Sequence, residues 1–482
     1  LFMMQIIWGE FYHEQSVNNR IRVVAIEAPR GKIIDRNGAV LADNRSSYNV
    51  VVVPQDIEDP AALFNFVGGV IKKDAKALER LYRHRKITPF DPVIIVEDVD
   101  RNALIKIEEN RFLYPGLEIQ ECFKRLYPFH DAGAHVIGYV GRIDPTTADV
   151  MQDYGYTIQS MVGKNGVEQF YEHYLQGAQG GKQIEVNSRG QQVRLLGTKE
   201  PIKGKDISLT IDQRIQTSAS NLLGSRRGSV IVMDMDNGRV LGMVSSPSFD
   251  PDAFTTRVQR YRIPGYIKDP FKPLLNRSIG AQFPPGSVFK IPVALAGLER
   301  KKIDSNTHFD CQGYYMLGQR RFGCAHVHGM QDLRQAIARS CNVYFYRTGQ
   351  LVTPSVIGAY AKAFGLNRPT GVDLPFETSG KLILPGQKRD GWFTGNTFNL
   401  SIGQGDTLTS PIQLVVMMAA IAKDGIVLRP HVIQSINGQV IPDPDVTKRP
   451  VVRLNEQSWR MVQEGLRLAI QDKEGTANLL SD

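Results

Sequence analysis

The chain has 482 residues, 42% of them hydrophobic and 22% charged, with a formal net charge of +9. That is too long for one ordinary core and fits two to four domains at about 150 residues each, and the composition excludes a disordered chain. The positive charge is spread along the sequence and short basic runs such as Arg83-His-Arg-Lys86 lack interleaved aromatics, so no nucleic-acid partner is expected; an anionic membrane or cell-wall setting, or simply a solvated surface, accounts for it.

The chain opens on Leu1-Phe-Met-Met-Gln-Ile-Ile-Trp8, apolar but far short of the roughly 20 residues that cross a bilayer. It reads as the tail of a membrane helix or as a buried segment, with a helix-like stretch running to Asn19. A strand is expected at residues 23–26, then a turn-rich run to Asn37-Gly38, a strong hairpin signal, and a strand at 48–53. Residues 56–131 change character. Charged, helix-patterned stretches at 74–83 and 98–111 mark an inserted α/β lobe. Strand signals punctuated by glycine return from Ala132, so residues 20–55 and 132–205 form one unit. Gly204-Lys205-Asp206 is the boundary to a second, spanning 206–482. That unit begins with a strand at 207–211, Asp212 as N-cap of a helix through Leu223, a hairpin about Asp236-Asn-Gly238, and then a long, mostly helical region.

Chemistry concentrates in that second unit. In Pro284-Pro-Gly-Ser287-Val-Phe-Lys290 a serine opens a helix and a lysine follows one turn later on the same face. A serine hydroxyl is a weak nucleophile until a base takes its proton, and a buried lysine of lowered pKa can be that base. Pro292 sits early in the same helix and is expected to cost it a backbone bond. Ser340-Cys-Asn342 places a second hydroxyl and an amide on one short loop, to relay a proton and to hold a substrate carbonyl. Each motif alone also reads as an ordinary helix cap; both in this order are far more specific.

Cys122 stands alone, whereas Cys311, Cys324, His328 and Cys341 form Cys-x12-Cys-x3-His-x12-Cys. Three thiolates and an imidazole make a closed zinc set; one disulfide with a free thiol, or buried thiols, are the other readings, and His326 can replace His328. A metal here would be structural, bracing the loop of Ser340 and Asn342. No cofactor is expected for catalysis.

These motifs, with Pro29-Arg-Gly-Lys-Ile-Ile-Asp35-Arg-Asn-Gly38, His135-Val-Ile-Gly-Tyr-Val-Gly141, Gly163-Lys-Asn-Gly-Val-Glu168, Leu209-Thr-Ile-Asp212 and Leu400-Ser-Ile-Gly-Gln-Gly405, resemble the class B penicillin-binding proteins of the elongation type over nearly the whole chain. The resemblance implies a multidomain α/β protein, with an elongated N-terminal pedestal and inserted head lobe ahead of a penicillin-recognising, serine β-lactamase-like transpeptidase domain. It implies a peptidoglycan D,D-transpeptidase acting in cell-wall elongation and inhibited by β-lactams, with Ser287 as nucleophile, Lys290 as base, and Ser340 and Asn342 as partners. It strengthens the zinc reading, since some relatives carry a metal-ligand cluster at matching places. Implied partners are stem peptides, β-lactams, a membrane glycosyltransferase of the RodA type and elongation scaffold proteins. The implied place is the outer face of the cytoplasmic membrane, with an anchor helix ahead of Leu1. A division-type transpeptidase and a non-catalytic scaffold are the alternatives.

The family's third motif, K-T-G, should lie on an edge strand. Lys473-Glu-Gly-Thr-Ala477 has its residues in the wrong order, with Asp472 and Glu474 beside a place meant for an anion, and is not accepted as that motif. Gly475-Thr-Ala477 fits the element that commonly precedes it, so the resemblance implies that the motif lies beyond Asp482.

Overall fold

The computed structural model describes residues 21–86, 89, 92–144, 160–186, 192–256, 259–444 and 454–480. The helix-like opening through Asn19 lies outside these residues.

The backbone of the N-terminal part is a strand of thirteen residues, Val40–Val52, reached through the short strand Ile33–Ile34 and the Asn37-Gly38 turn. The turn is fixed by Asp35. Its carboxylate accepts the backbone N–H groups of Asn37 (2.8 Å) and Ala39 (2.7 Å), and also that of Gln213 (3.0 Å), the first residue of helix Gln213–Leu223. One buried carboxylate thus closes the hairpin and joins the two halves of the protein. Strand Val40–Val52 exceeds the expected 48–53 because Leu117–Leu126 pairs antiparallel along it from Asp43 to Val52, satisfying a row of polar and charged residues that carry no strand signal of their own.

The upper end of that ribbon enters the inserted lobe. Val50, Val52 and Leu117 share its core with Leu63, Phe64, Leu78, Ile95 and Ile107. Helices Ala75–Arg85 and Arg101–Asn110 form where their charged patterns predict, capped by Asp74 and Asp100. A third helix, Pro60–Ile71, was not expected. Its paired glycines, Gly68 and Gly69, mask the pattern, yet Asp59 caps it and proline stands in its first turn.

The main sheet crosses the boundary between halves. Its order is Gln439–Val440, Ile433–Ile436, Ile207–Leu209, Ile33–Ile34, Val40–Val52 and Val93–Val96, with Ile207–Leu209 parallel to Ile33–Ile34. A buried ionic knot braces the lower part. Glu168, whose side chain is 0% exposed, accepts Arg125 Nε at 2.6 Å and Arg30 Nη2 at 2.7 Å, and Arg30 also binds Glu172. The Pro29-Arg-Gly and Gly163–Glu168 motifs meet here, with Glu172 beside them. Gly31 must be glycine, because a Cβ would stand 1.9 Å from the Lys205 carbonyl oxygen.

The second half packs helices around one buried helix, Lys290–Glu299, in which every residue from Lys290 to Gly297 is buried. A helix apolar all round belongs in the middle of a core. Pro292 lies in its first turn, where the missing N–H has no intrahelical partner anyway, so the expected cost does not arise. Helices Leu333–Ala338, Asn342–Val352 and Glu456–Gln471 surround it, with Phe289, Phe345, Leu400 and Trp459 in the shared cluster.

Candidate active site

The nucleophile candidate stands on a tight turn. Gly286–Phe289 is a single 3-10 turn running into helix Lys290–Glu299, which leaves Ser287 exposed and Lys290 buried beneath it. The turn is held from outside by a strandless loop. Gly286 N–H donates to the Gly403 carbonyl at 3.0 Å. Gly403 has φ +66°, and a Cβ on it would come within 2.3 Å of the Gly286 oxygen. Only glycine fits this contact, which explains the Ser-Ile-Gly-Gln-Gly405 segment.

Ser340 is the residue just beyond the C-cap of helix Leu333–Ala338. Its φ is +53°, and Cys341 N–H reaches back to the Ala336 carbonyl at 2.9 Å. This is the helix-ending geometry that usually takes glycine. A serine there costs backbone energy, and its hydroxyl explains its presence: Ser340 Oγ donates to Ser287 Oγ at 2.7 Å and accepts from Lys290 Nζ at 2.9 Å. Lys290 Nζ also donates to the Ser340 carbonyl (2.7 Å) and to Asn342 Oδ1 (2.7 Å). The four residues predicted from the two motifs are therefore brought together. The amine, expected to reach Ser287 itself, is turned to Ser340 and Asn342, and its link to Ser287 runs through the Ser340 hydroxyl.

Electrostatics suit this arrangement. Burial lowers the Lys290 ammonium from its ordinary value of 10.5 to about 8, against the opposing pull of Cys324 and Cys341. The Phe345 ring lies 5.6 Å from Nζ.

The cysteine cluster abuts the same loop. Sulfur or imidazole atoms of Cys311, Cys324, His328 and Cys341 all lie within 4.8 Å of one another, and His326 is outside the set. Around a tetrahedral zinc ion with Zn–S of about 2.3 Å and Zn–N of about 2.0–2.1 Å, sulfur and nitrogen stand about 3.5 Å apart. Cys311 Sγ and Cys324 Sγ are 3.5 and 3.6 Å from His328 Nδ1. All four cysteines are free thiols, Cys122 being buried far along the chain. Hydrogen bonds from the Cys341 thiol and from the backbone N–H groups of Asn342, Val343 and His326 lower the Cys324 thiol, while the same contact and burial raise the Cys341 thiol, so of this pair Cys324 is the one held toward the thiolate. Asn342 N–H meets Cys324 Sγ at 3.1 Å, so the cluster touches the asparagine of the Ser340 loop directly.

Sequence reading missed the clamp behind that loop. Arg339 pairs with Asp472 (3.3 Å) and Glu474 (2.9 Å), and Thr476 N–H donates to the Ala338 carbonyl at 3.0 Å. Residues 472–477 form turns, not a strand, and Lys473 is exposed. The two acids that argued against a K-T-G reading thus have a partner of their own. Like charges clustered around an arginine are visible in sequence only as separate residues, which is why the clamp escaped notice.

Known proteins share both halves of the chain. Residues 228–481 match the penicillin binding protein transpeptidase domain, and residues 25–209 the penicillin-binding protein dimerisation domain. The chain is 30% identical to the peptidoglycan D,D-transpeptidase MrdA of Acinetobacter baumannii, covering 98% of this chain and 72% of that protein. It resembles the penicillin-binding protein PBP2 of Helicobacter pylori solved in complex with MreC, at a TM-score of 0.82 and 28% identity, over 95% of this chain and 85% of that one. It also resembles a chain of a peptidoglycan synthase complex solved for its coordination of polymerization and crosslinking, at a TM-score of 0.73 and 29% identity, over 99% and 82% of the two chains. With a dimerisation domain leading into a transpeptidase domain, the chain belongs to the penicillin-binding proteins.

Proposed function

We propose that this protein cross-links peptidoglycan during wall elongation as a serine D,D-transpeptidase, and that Ser287, Lys290, Ser340 and Asn342 carry the reaction. The observation behind this reading is the unbroken hydrogen-bond chain from Ser287 Oγ through Ser340 Oγ to Lys290 Nζ. Ser287 Oγ attacks the carbonyl between the two terminal D-alanines of a stem peptide. With Lys290 neutral, the two hydroxyls turn so that Ser287 donates to Ser340 and Ser340 to the amine, and the proton passes along the same 2.7 and 2.9 Å contacts to Lys290. The C–N bond then breaks, and the departing D-alanine amine takes that proton back, leaving an ester on Ser287. An amine of a second stem peptide attacks the ester and releases its proton along the same path, which frees Ser287 and forms the cross-link. Asn342 holds Lys290 through Oδ1 and gives one amide hydrogen to the Gly323 carbonyl at 3.2 Å, leaving the other for the substrate; the Ser287 N–H, at the start of the turn, serves the oxyanion.

Cys311, Cys324, His328 and Cys341 are assigned to a structural zinc ion on the strength of their donor chemistry and spacing. Bound there, zinc supplies no chemistry to the acyl transfer; it fixes the loop between Ser340 and Asn342. The substrate places the catalytic domain on the outer side of the cytoplasmic membrane. A scaffold protein of the MreC kind and a glycan polymerase are the partners inferred from the relatives solved in complexes.

The test is a penicillin carrying a fluorophore. The full-length protein should take one adduct, located at Ser287 by peptide mass spectrometry and absent in Ser287→Ala. Failure to label under conditions that label a known transpeptidase would overturn the catalytic reading in favour of a scaffold.

A further inference from the structure

Away from the nucleophile, a second group of metal-ligating side chains sits where the two halves of the protein meet. Asp250 and Asp252 follow strand Val240–Ser246 and are 9% and 3% exposed. His130 belongs to the other half, four residues beyond the end of strand Leu117–Leu126, in left-handed backbone (φ +49°) and with its side chain 63% exposed. His130 Nδ1 lies 3.6 Å from Oδ2 of Asp250 and 3.6 Å from Oδ2 of Asp252. One ligand atom from each of the three residues lies within 4.8 Å of the others.

The outer oxygen of each carboxylate is used: Asp250 Oδ1 accepts Asp252 N–H at 3.0 Å, and Asp252 Oδ1 accepts Tyr127 N–H at 3.2 Å. The two Oδ2 atoms, which face His130, accept no hydrogen bond among the described residues. Around them stand the His130 imidazole, Arg262, whose Nη1 is 3.6 Å from Asp250 Oδ2 and whose Nε also meets the Tyr261 hydroxyl at 3.5 Å, and Arg45, which acts on Asp252. A triangle of this size places an ion at its centre about 2.1–2.4 Å from all three donors, the bond length of divalent first-row ions with imidazole and carboxylate.

We propose that His130, Asp250 and Asp252 bind a divalent transition-metal ion that ties the loop after strand Leu117–Leu126 to the Asp250–Asp252 turn. Three protein ligands with an exposed imidazole leave the remaining positions to water. The donor set is one nitrogen and two oxygens, unlike the three-sulfur cysteine cluster, so the two sites differ in the metals they favour.

Manganese is the discriminating probe, because thiolates hold it poorly. Metal-stripped full-length protein is titrated with Mn²⁺ and free ion is read by its electron paramagnetic resonance signal, for wild type, His130→Asn, Asp252→Asn and Cys324→Ser. Asparagine at 130 keeps a residue that tolerates left-handed backbone. One Mn²⁺ per chain is expected in wild type and Cys324→Ser, with binding at least tenfold weaker in both His130→Asn and Asp252→Asn. No binding by wild type, or binding indifferent to both of those variants, overturns the proposal.

Discussion

Ser340 Oγ donates a 2.7 Å hydrogen bond to Ser287 Oγ, joining two residues 53 positions apart, from a backbone conformation that serine rarely adopts. The hydroxyl is what justifies the conformation, and the two can be separated. Ser340→Gly keeps the left-handed backbone and removes only the hydroxyl. Thermal unfolding should show stability unchanged or raised by up to about 1 kcal/mol, while acylation by a β-lactam slows by about 10²–10⁴-fold in stopped-flow labelling. A variant that acylates at the wild-type rate would remove Ser340 from the proton path.

Lys290 sets the pH dependence. Its neutral form accepts the proton, so the acylation rate constant should rise with pH and level off above about 8. Lys290→Arg, charged at every accessible pH, should lose both the activity and the inflection. The sign for stability is the same. The folded-state pKa is depressed, so between about 8 and 10.5 the unfolded chain holds a proton the folded chain has lost, and Lys290 makes folding more favourable as pH rises through that window.

Gly403→Ala tests the turn rather than the chemistry. A methyl group would be 2.3 Å from the Gly286 oxygen and 2.7 Å from Phe289 Cβ, so the Ser287 turn must move. Acylation should fall by tenfold or more although Ser287, Ser340 and Lys290 are all intact, measured with the same fluorescent penicillin.

Glu168→Ala leaves Arg125 and Arg30 in a buried site without their shared carboxylate. Breaking a buried pair in this way destabilises by about 3–5 kcal/mol. A lower first transition in calorimetry is expected, with penicillin labelling at low temperature retained, since Glu168 lies in the N-terminal half and its partners Arg30 and Arg125 do too.

Removal of the zinc proposed for the cysteine cluster should be visible in two ways. Titration with a strong chelator should release one zinc per chain, detected by a colorimetric zinc dye, and the melting temperature should drop. Because Asn342 N–H contacts Cys324 Sγ, acylation should slow in parallel and recover on adding zinc back. Cys122→Ser, outside the cluster, should leave the zinc content unchanged.

That the four proposed catalytic residues would meet was legible because each motif is local: serine and lysine share one helical turn, and Ser340 and Asn342 share one loop. Their orientation was not. That Lys290 addresses Ser340 rather than Ser287 follows from the left-handed residue at 340, which no spacing rule reveals. The cap at Asp212 and the Asn37-Gly38 turn read correctly, since side-chain capping acts within a few residues, whereas Asp74 and Asp100, read as parts of helical stretches, turn out to cap them. Helix Pro60–Ile71 and the full reach of strand Val40–Val52 did not, because one depends on burial beneath the lobe and the other on a partner strand far along the chain. The Arg339 clamp likewise needs a segment more than a hundred residues away.

Val52 and Leu117 stand opposite each other in register, and Val53 N–H donates to the Gly116 carbonyl at 2.8 Å. The whole lobe is therefore spliced into the tip of a hairpin whose two arms are already matched beneath it. Insertions, deletions or wholesale exchange of the lobe change what stands on the ribbon without altering its registration. A lobe traded between relatives therefore has to bring side chains that fit Val50, Val52 and Leu117, which belong to its core, while the ribbon below and the nucleophile's surroundings stay as they were.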